Sequence, residues 1–200
     1  PRAAAYLLAA YAEEFPQGSV FLAVVDPGVG SARRPLLVQA DGRWFVGPDN
    51  GLFAIIARRA HTLACWTITW QPKRLSASFH GRDLFAPAAA EIAAGRRVPG
   101  EPVACERCAQ PDWPDELAEV VYIDRFGNAI TGLRASAVSP DIVLSVGGVP
   151  LSRARTFSDV PEGEAFWYEN ANGLVELAVN RGRANEVLQV QPGDPVVLLA

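Results

Sequence analysis

The sequence predicts an α/β N-terminal domain, in which helices flank a mixed sheet, followed by a small all-β domain of barrel or sandwich type. Three observations carry this expectation. Up to about residue 95, apolar and β-branched runs alternate with segments whose apolar residues recur at helical spacing. Pro99, Gly100, Pro102, Pro111 and Pro114 then crowd a stretch too dense in turn formers for a regular element. Beyond it, short strand-like runs are separated by turn residues. The expected domains are residues 1–103 and 116–200, joined by a proline-rich linker over 104–115.

Taken in order, Pro1 to Glu14 reads as a helix, with Ala3, Ala4, Leu7, Leu8 and Tyr11 at helical spacing. Val20 to Val25 is an apolar run of strand length that delivers Asp26 at its carboxyl end. Pro35 to Ala40 and Arg43 to Val46 form a hairpin about Asp41-Gly42. Gly51 to Arg59 is expected to be helical, with Asp49 or Asn50 available as its cap. Thr62 to Trp70 has the β-branched and aromatic content of a strand. From Asp83 to Gly95, one helical face carries Leu84, Phe85, Ala88, Ala89, Ile92 and Ala93, and Gly95 supplies a stop. The later strands are expected at 119–124, 129–133, 142–146, 165–169, 174–179 and 196–199. Gly147-Gly148 and Asn172-Gly173 supply hairpin turns.

Half of the 200 residues are apolar and a fifth are charged, which fits a globular protein. A net charge of −4 argues against nucleic acid or an anionic membrane as the main partner. No apolar run approaches the ~18–20 residues of a membrane span. The three cysteines include Cys105-Glu-Arg-Cys108, which has redox or zinc spacing, but two histidines and no second such pair make four zinc ligands hard to assemble. Structural or incidental thiols in a reducing cytoplasm are the expectation.

Three loops in about sixty residues concentrate chemistry. The first is Asp26-Pro27-Gly28-Val29-Gly30-Ser31-Ala32-Arg33-Arg34, directly after an apolar strand, where open α/β sheets place their sites. The others are Gly47-Pro48-Asp49-Asn50-Gly51 and Ser78-Phe79-His80-Gly81-Arg82-Asp83. Each packs polar residues beside glycines. Alone, each also suits a plain structural role: Asp26 capping its own turn, His80 satisfied in a fold, one of the two arginines solvated.

In order and spacing, VVDPGVGSARR, FVGPDNGLF, SFHGRDLFAPAAAEIAAG, IDRFGNAIT and ENANGLVELAVNRGRA resemble the S-adenosylmethionine (SAM) hydroxide adenosyltransferases, relatives of the SAM-dependent fluorinase and chlorinase. The resemblance runs from about residue 15 to the end. It implies that SAM is the substrate, that no metal or redox cofactor is called for because the sulfonium already supplies the activation, and that the sites lie between subunits of a homotrimer. The family's first strand and helix, with a Thr-Asp-Phe-Gly-like turn whose Asp contacts the ribose, find no match. With no methionine at the start, residues are expected to precede Pro1 in the gene product.

The resemblance assigns water activation to Asp26, Arg33 and His80. The chemistry agrees: His80 can accept a proton near neutrality, Arg33 can hold a hydroxide-like water, and Asp26 can fix the guanidinium. Substrate binding is implied for Asp49, Asn50, Phe79 and Gly81. In the second domain it is implied for Asp124, which would grip the α-amino group, and for Phe126, Asn128, Asn170, Asn172 and Ala184. The string Asp124 to Asn128 equally suits a turn between strands. Ala171 stands where relatives have a serine, so that contact is absent or taken over by Asn172. His80 and Gly81 favour hydrolysis over halogenation, because a halide has no proton to lose and a glycine offers it no side chain. The alternatives are a SAM- or adenosine-binding module without turnover and, less favoured, a halogenase.

Overall fold

The computed structural model describes residues 1–108 and 110–199. The chain divides into two units, Pro1–Asp112 and Trp113–Ala200. Together they make a two-domain mixed α/β protein with several sheets and few helices.

Unit 1 holds α1 (Arg2–Glu13), β1 (Val20–Leu22), β2 (Pro35–Ala40), β3 (Arg43–Pro48), α2 (Ala54–Arg59), β4 (Leu63–Ile68), α3 (Ala86–Ala93) and β5 (Gly100–Pro102). Its sheet runs β1-β3-β2-β4-β5, with β1 parallel to β3 and the other pairs antiparallel. The two-residue side-chain period sorts its faces. Leu37 and Val46, direct partners across β2 and β3, join Leu84, Phe85, Ala88 and Ala89 in one cluster beneath α3. Phe45, one residue along, points the other way and meets Phe53 ahead of α2, with ring centroids 6.0 Å apart. The buried Ala5, Tyr6 and Ala9 of α1 give that helix its inner face.

Several elements differ from the sequence reading, each for a local reason. Strand β1 ends at Leu22, and Val24 and Val25 leave the sheet to enter the Asp26 turn. Helix α2 starts at Ala54 without a side-chain cap. Asn50 organises the preceding turn by accepting from the Leu52 N–H at 3.3 Å, and Asp49 is drawn into an ion pair with Arg34. The helix expected at 83–95 opens instead with a π-turn, Gly81–Phe85, in which the N–H of Ala86 reaches the carbonyl of Gly81. Pro87, which has no N–H to offer, sits just inside α3. Ile92 is only half-buried and Ala93 is exposed. Within the proline-rich stretch, β5 pairs with β4 and a 3-10 turn spans Cys105–Cys108.

That pairing corrects the reading of three thiols. The Val103 N–H donates to the carbonyl of Cys65 at 3.0 Å, which delivers the following turn to β4, and Cys65 and Cys105 form a disulfide. Cys105 is thus committed to Cys65, forty positions away, and not to its neighbour Cys108, which is buried.

Unit 2 holds β6 (Leu117–Ile123), β7 (Ala129–Arg134), β8 (Val143–Val146), β9 (Val149–Leu151), β10 (Ala165–Glu169), β11 (Leu174–Val179), α4 (Ala184–Val187) and β12 (Val197–Leu199). Strands order as β10-β11-β7-β6 in one antiparallel sheet and β12-β8-β9 in another. One core serves both: Leu144, Val146 and Leu151 pack in the same cluster as Ala129, Leu133, Trp167, Val175 and Leu177. Trp167 is fully buried, and its indole N–H is satisfied by the carbonyl of Ile142 at 3.2 Å. Strand β9 and helix α4 escaped the sequence reading, being three and four residues long.

Candidate active site

In unit 1 the three chemical loops converge at one end of the sheet. The loop after β1 bends back through Gly30, whose φ of +79° only glycine adopts readily; a Cβ there would meet the carbonyl oxygen of Ala77 at 2.7 Å. This close approach sets the first loop against the one that carries His80. Asn50 ties in the second loop, its amide donating to the carbonyl of Val25 at 2.8 Å, one residue before Asp26.

Asp26, Arg33 and His80 meet there. The Nε of Arg33 donates to both carboxylate oxygens of Asp26 at 3.0 Å, and its Nη2 reaches Oδ2 at 2.5 Å and His80 Nδ1 at 2.9 Å. The side chains of Arg33 and Asp26 are only 8% and 5% exposed, so the pair is largely desolvated. The guanidinium carbon also lies 5.1 Å from the centre of the Phe85 ring, a cation–π contact made possible by the π-turn that brings Phe85 beneath it.

The contact with Arg33 bears on the role expected of His80. A guanidinium donates and never accepts, so the Nδ1 lone pair of His80 is engaged by Arg33 and the neutral ring carries its proton on Nε2. A ring held in this way presents an N–H at Nε2. With Arg33 it makes a pair of donors suited to an anion.

The other residues expected in this region divide by contact. Asp49 pairs with Arg34, whose Nε and Nη2 lie 2.8 and 2.5 Å from Oδ2, so both arginines are ion-paired where one of the two could have been a solvated charge. Phe79 is exposed beneath the Arg82 guanidinium. Gly81 opens the π-turn, and a Cβ there would touch Val24 at an ordinary 3.4 Å.

Unit 2 contains a cavity of about 610 Å³ whose lining includes Asp124, Phe126, Asn128, Asn170, Ala171 and Asn172. Asp124 closes its own turn: Oδ1 accepts from the N–H groups of Phe126 and Asn128 at 2.8 and 2.9 Å, while Oδ2 takes no hydrogen bond among the described residues. One carboxylate oxygen therefore shapes the loop and the other takes no part in it. Asn128 is buried and Phe126 exposed.

Asn170 is spent on the hairpin. Its Oδ1 accepts from the N–H groups of Asn172 and Leu174, both at 3.0 Å, and its Nδ2 donates to Glu176 at 3.0 Å. Ala184 is fully buried in the core and is not brought to the cavity. Sequence reasoning passed over Glu176, Tyr168 and Phe157, which also line it. The signal for Glu176 was present: an acid inside Leu174-Val175-Glu176-Leu177-Ala178-Val179, a strand buried at every position.

The N-terminal domain model of the SAM hydroxide adenosyltransferases matches residues 1–100, and the C-terminal domain model matches residues 118–197. The chain is 45% identical to an (R)-S-adenosyl-L-methionine hydrolase of Thermus thermophilus, over 99% of this chain and 82% of that protein. It is 40% identical to one of Salinispora arenicola, over 91% and 75%. Among solved structures, an uncharacterized conserved protein from Thermotoga maritima superimposes with a TM-score of 0.80 at 30% identity, covering 99% of this chain and 84% of that one. A conserved hypothetical protein from Thermus thermophilus gives 0.77 at 39%, covering 100% and 83%.

Proposed function

The chain belongs to the SAM hydroxide adenosyltransferase family, and from that premise we propose that it hydrolyses S-adenosyl-L-methionine to adenosine and L-methionine. The observation that carries the mechanism is the chain of contacts from Asp26 through Arg33 to His80 Nδ1.

A bound water gives one proton to solvent, and the hydroxide that remains attacks the ribose C5′ in line with the sulfonium. As the O–C5′ bond forms, the C5′–S bond breaks, and its electron pair neutralises the sulfur to give methionine. The oxygen keeps its proton as the 5′-hydroxyl of adenosine, so charge and atoms balance. Methionine departs as a neutral thioether and needs no acid. What the protein must supply is a desolvated nucleophile in place. Arg33, held by Asp26 and stacked on Phe85, gives a fixed positive charge, and the Nε2–H of His80 gives a second donor. The pair lowers the free energy of hydroxide over water without either residue changing protonation.

In this reading Asp124 meets the α-ammonium of the substrate with its unoccupied oxygen, an ion pair of the charge-assisted kind. Phe126, Asn128 and Asn172 shape the same cavity. Asp49, Asn50, Phe79 and Gly81 belong to the water-activating side, where Asn50 and Asp49 hold loops in place. Unit 2 is read as a small barrel or sandwich, supported by the core its two sheets share.

No metal or redox cofactor is proposed, since the sulfonium is its own activation; turnover that survives chelation checks this. A homotrimer with shared sites follows from the family resemblance, and exposed Val24, Val25 and Phe79 beside the trio are apolar surface that association would cover. A cytoplasmic setting is also proposed. It stands against the Cys65–Cys105 disulfide, a bond more at home in oxidising compartments.

Chromatography of the products after incubation with SAM tests the function. Adenosine and methionine in equal amounts from the wild type, with little from His80→Ala, is the expected result. A folded wild type that binds SAM and releases no adenosine would make the chain a binding module and overturn the assignment.

A further inference from the structure

The mechanism leaves the buried carboxyl of Glu176 without a task. Glu176 sits on β11, 5% exposed, in the wall of the unit 2 cavity. Its oxygens each accept one hydrogen bond from a neutral donor: Oε1 from the Tyr168 hydroxyl at 2.6 Å and Oε2 from Asn170 Nδ2 at 3.0 Å. Tyr168 is its direct cross-strand partner on β10. Burial, together with the hydrogen bond and charge of Glu176, pushes the Tyr168 phenol well above its ordinary value, so the donor keeps its proton.

Among the described residues no cation pairs with Glu176. The one arginine in the cavity lining, Arg181, is paired with Glu162 and lies largely in solvent. The cavity therefore carries two carboxylates, Asp124 and Glu176, without internal compensation, beside the aromatic rings of Phe126, Phe157 and Tyr168. A buried carboxylate held only by neutral groups is costly unless a ligand brings the opposite charge.

We propose that Glu176 sets charge selectivity: its carboxylate, fixed by Tyr168 and Asn170, makes the cavity prefer a sulfonium ligand over a neutral thioether of the same shape. The proposal rests on the reading of SAM as substrate and adds what distinguishes SAM from S-adenosylhomocysteine. Both ligands carry the same ammonium, so the contribution of Asp124 cancels between them. Only the charge on sulfur differs.

The test measures binding of SAM and of S-adenosylhomocysteine by calorimetry, with SAM hydrolysis assayed in parallel, for the wild type, Glu176→Gln and Tyr168→Phe. The wild type is expected to prefer SAM, and Glu176→Gln to weaken SAM about tenfold with less than a twofold change for the thioether. That is the order of effect for a unit charge about 12 Å away at an effective dielectric near ~20, and a closer sulfonium makes the loss larger. Tyr168→Phe keeps the charge and should keep the preference. Because the sulfonium charge is already partly neutralised in the transition state, Glu176→Gln should raise KM and leave kcat undiminished.

A wild type that binds both ligands equally overturns the proposal whether or not the variant folds. An unchanged ratio in Glu176→Gln overturns it too, as does an equal loss of both ligands, which marks a purely structural role. In each of these cases continued hydrolysis leaves the function intact. A wild type that neither binds nor hydrolyses SAM overturns both readings together.

Discussion

The Nη2 group of Arg33 lies 2.9 Å from Nδ1 of His80, and because a guanidinium has only protons to offer, the imidazole accepts at Nδ1 and keeps its hydrogen at Nε2. The contact separates two mechanisms that the same three residue types allow. A histidine free at one nitrogen takes a proton from water. One bonded in this way has an N–H to offer hydroxide, which is the role proposed for His80.

The separation is measurable with His80→Asn and His80→Ala. An asparagine amide can accept from Arg33 and still donate an N–H, but it cannot act as a base. His80→Ala is expected to lose roughly 10²–10³ in kcat, the usual scale for one donor to a developing or bound anion, and His80→Asn to retain at least about tenfold more activity than alanine. Equal inactivity of the two variants in steady-state assays would return His80 to the role of base.

Asn50 supports the site at one remove. Its amide spans from the Gly47–Gly51 loop to the carbonyl of Val25, beside Asp26, and Asn50→Ala leaves that carbonyl without its partner. A loss of about 1 kcal/mol in unfolding free energy is expected, with kcat falling about tenfold while KM moves less, because the displaced group is Asp26 and not a binding residue. A normal kcat with the stability loss would confine Asn50 to the fold.

The chemical loops were legible in the sequence because their glycines, acids and basic residues are local and ordered. Their contacts were not, because a contact depends on which loop approaches which. Asp49 illustrates this: it had the look of a helix cap, yet Arg34 across the hairpin gives it a charged partner at 2.5 Å, and an ion pair outweighs a cap on a six-residue helix. Asn170 was legible as polar and near the site, but its oxygen is used by two backbone N–H groups within four residues. The strands expected at 165–169 and 174–179 lie where the turn residues between them put them, and they pair with one another in plain antiparallel register. Strand β9 was missed because its register with β8 spans only Val149–Leu151, and a pattern of three residues carries no period. The Cys65–Cys105 pairing was illegible for a further reason: the two lie 40 positions apart, and only the β4–β5 pairing brings Cys65 close.

That disulfide closes a separation of 40 residues within unit 1. On the chain-entropy account, a loop of this length stabilises by up to about 4 kcal/mol, so reduction should lower the denaturation midpoint of the protein. Thiol titration of protein unfolded without reductant is expected to find one thiol per chain, the three cysteines less the two bonded. Three thiols would mean that the bond does not form in the isolated protein.

The loop that carries His80 has its own acid sensitivity. Asp83 accepts from Arg82 at 2.6 Å and from the Ser76 N–H at 2.9 Å, so that its carboxylate fastens the start of the loop to the π-turn at its end. The hydrogen bond from Arg82, and after it that from Ser76, lower the Asp83 pKa from 3.8 to about 2. A carboxylate depressed in the folded state contributes stability that is fully present above its unfolded pKa and is lost as pH falls through the folded one. The window is therefore from about pH 4 down to about pH 2. Asp83→Asn keeps an oxygen for Ser76 but cannot titrate. Its Tm is expected to lie below that of the wild type by a constant amount above about pH 5, with the gap closing as pH approaches 2, because the other carboxylates titrate alike in both proteins. A gap that stays constant down to pH 2 would show that the Asp83 charge contributes nothing to holding this loop.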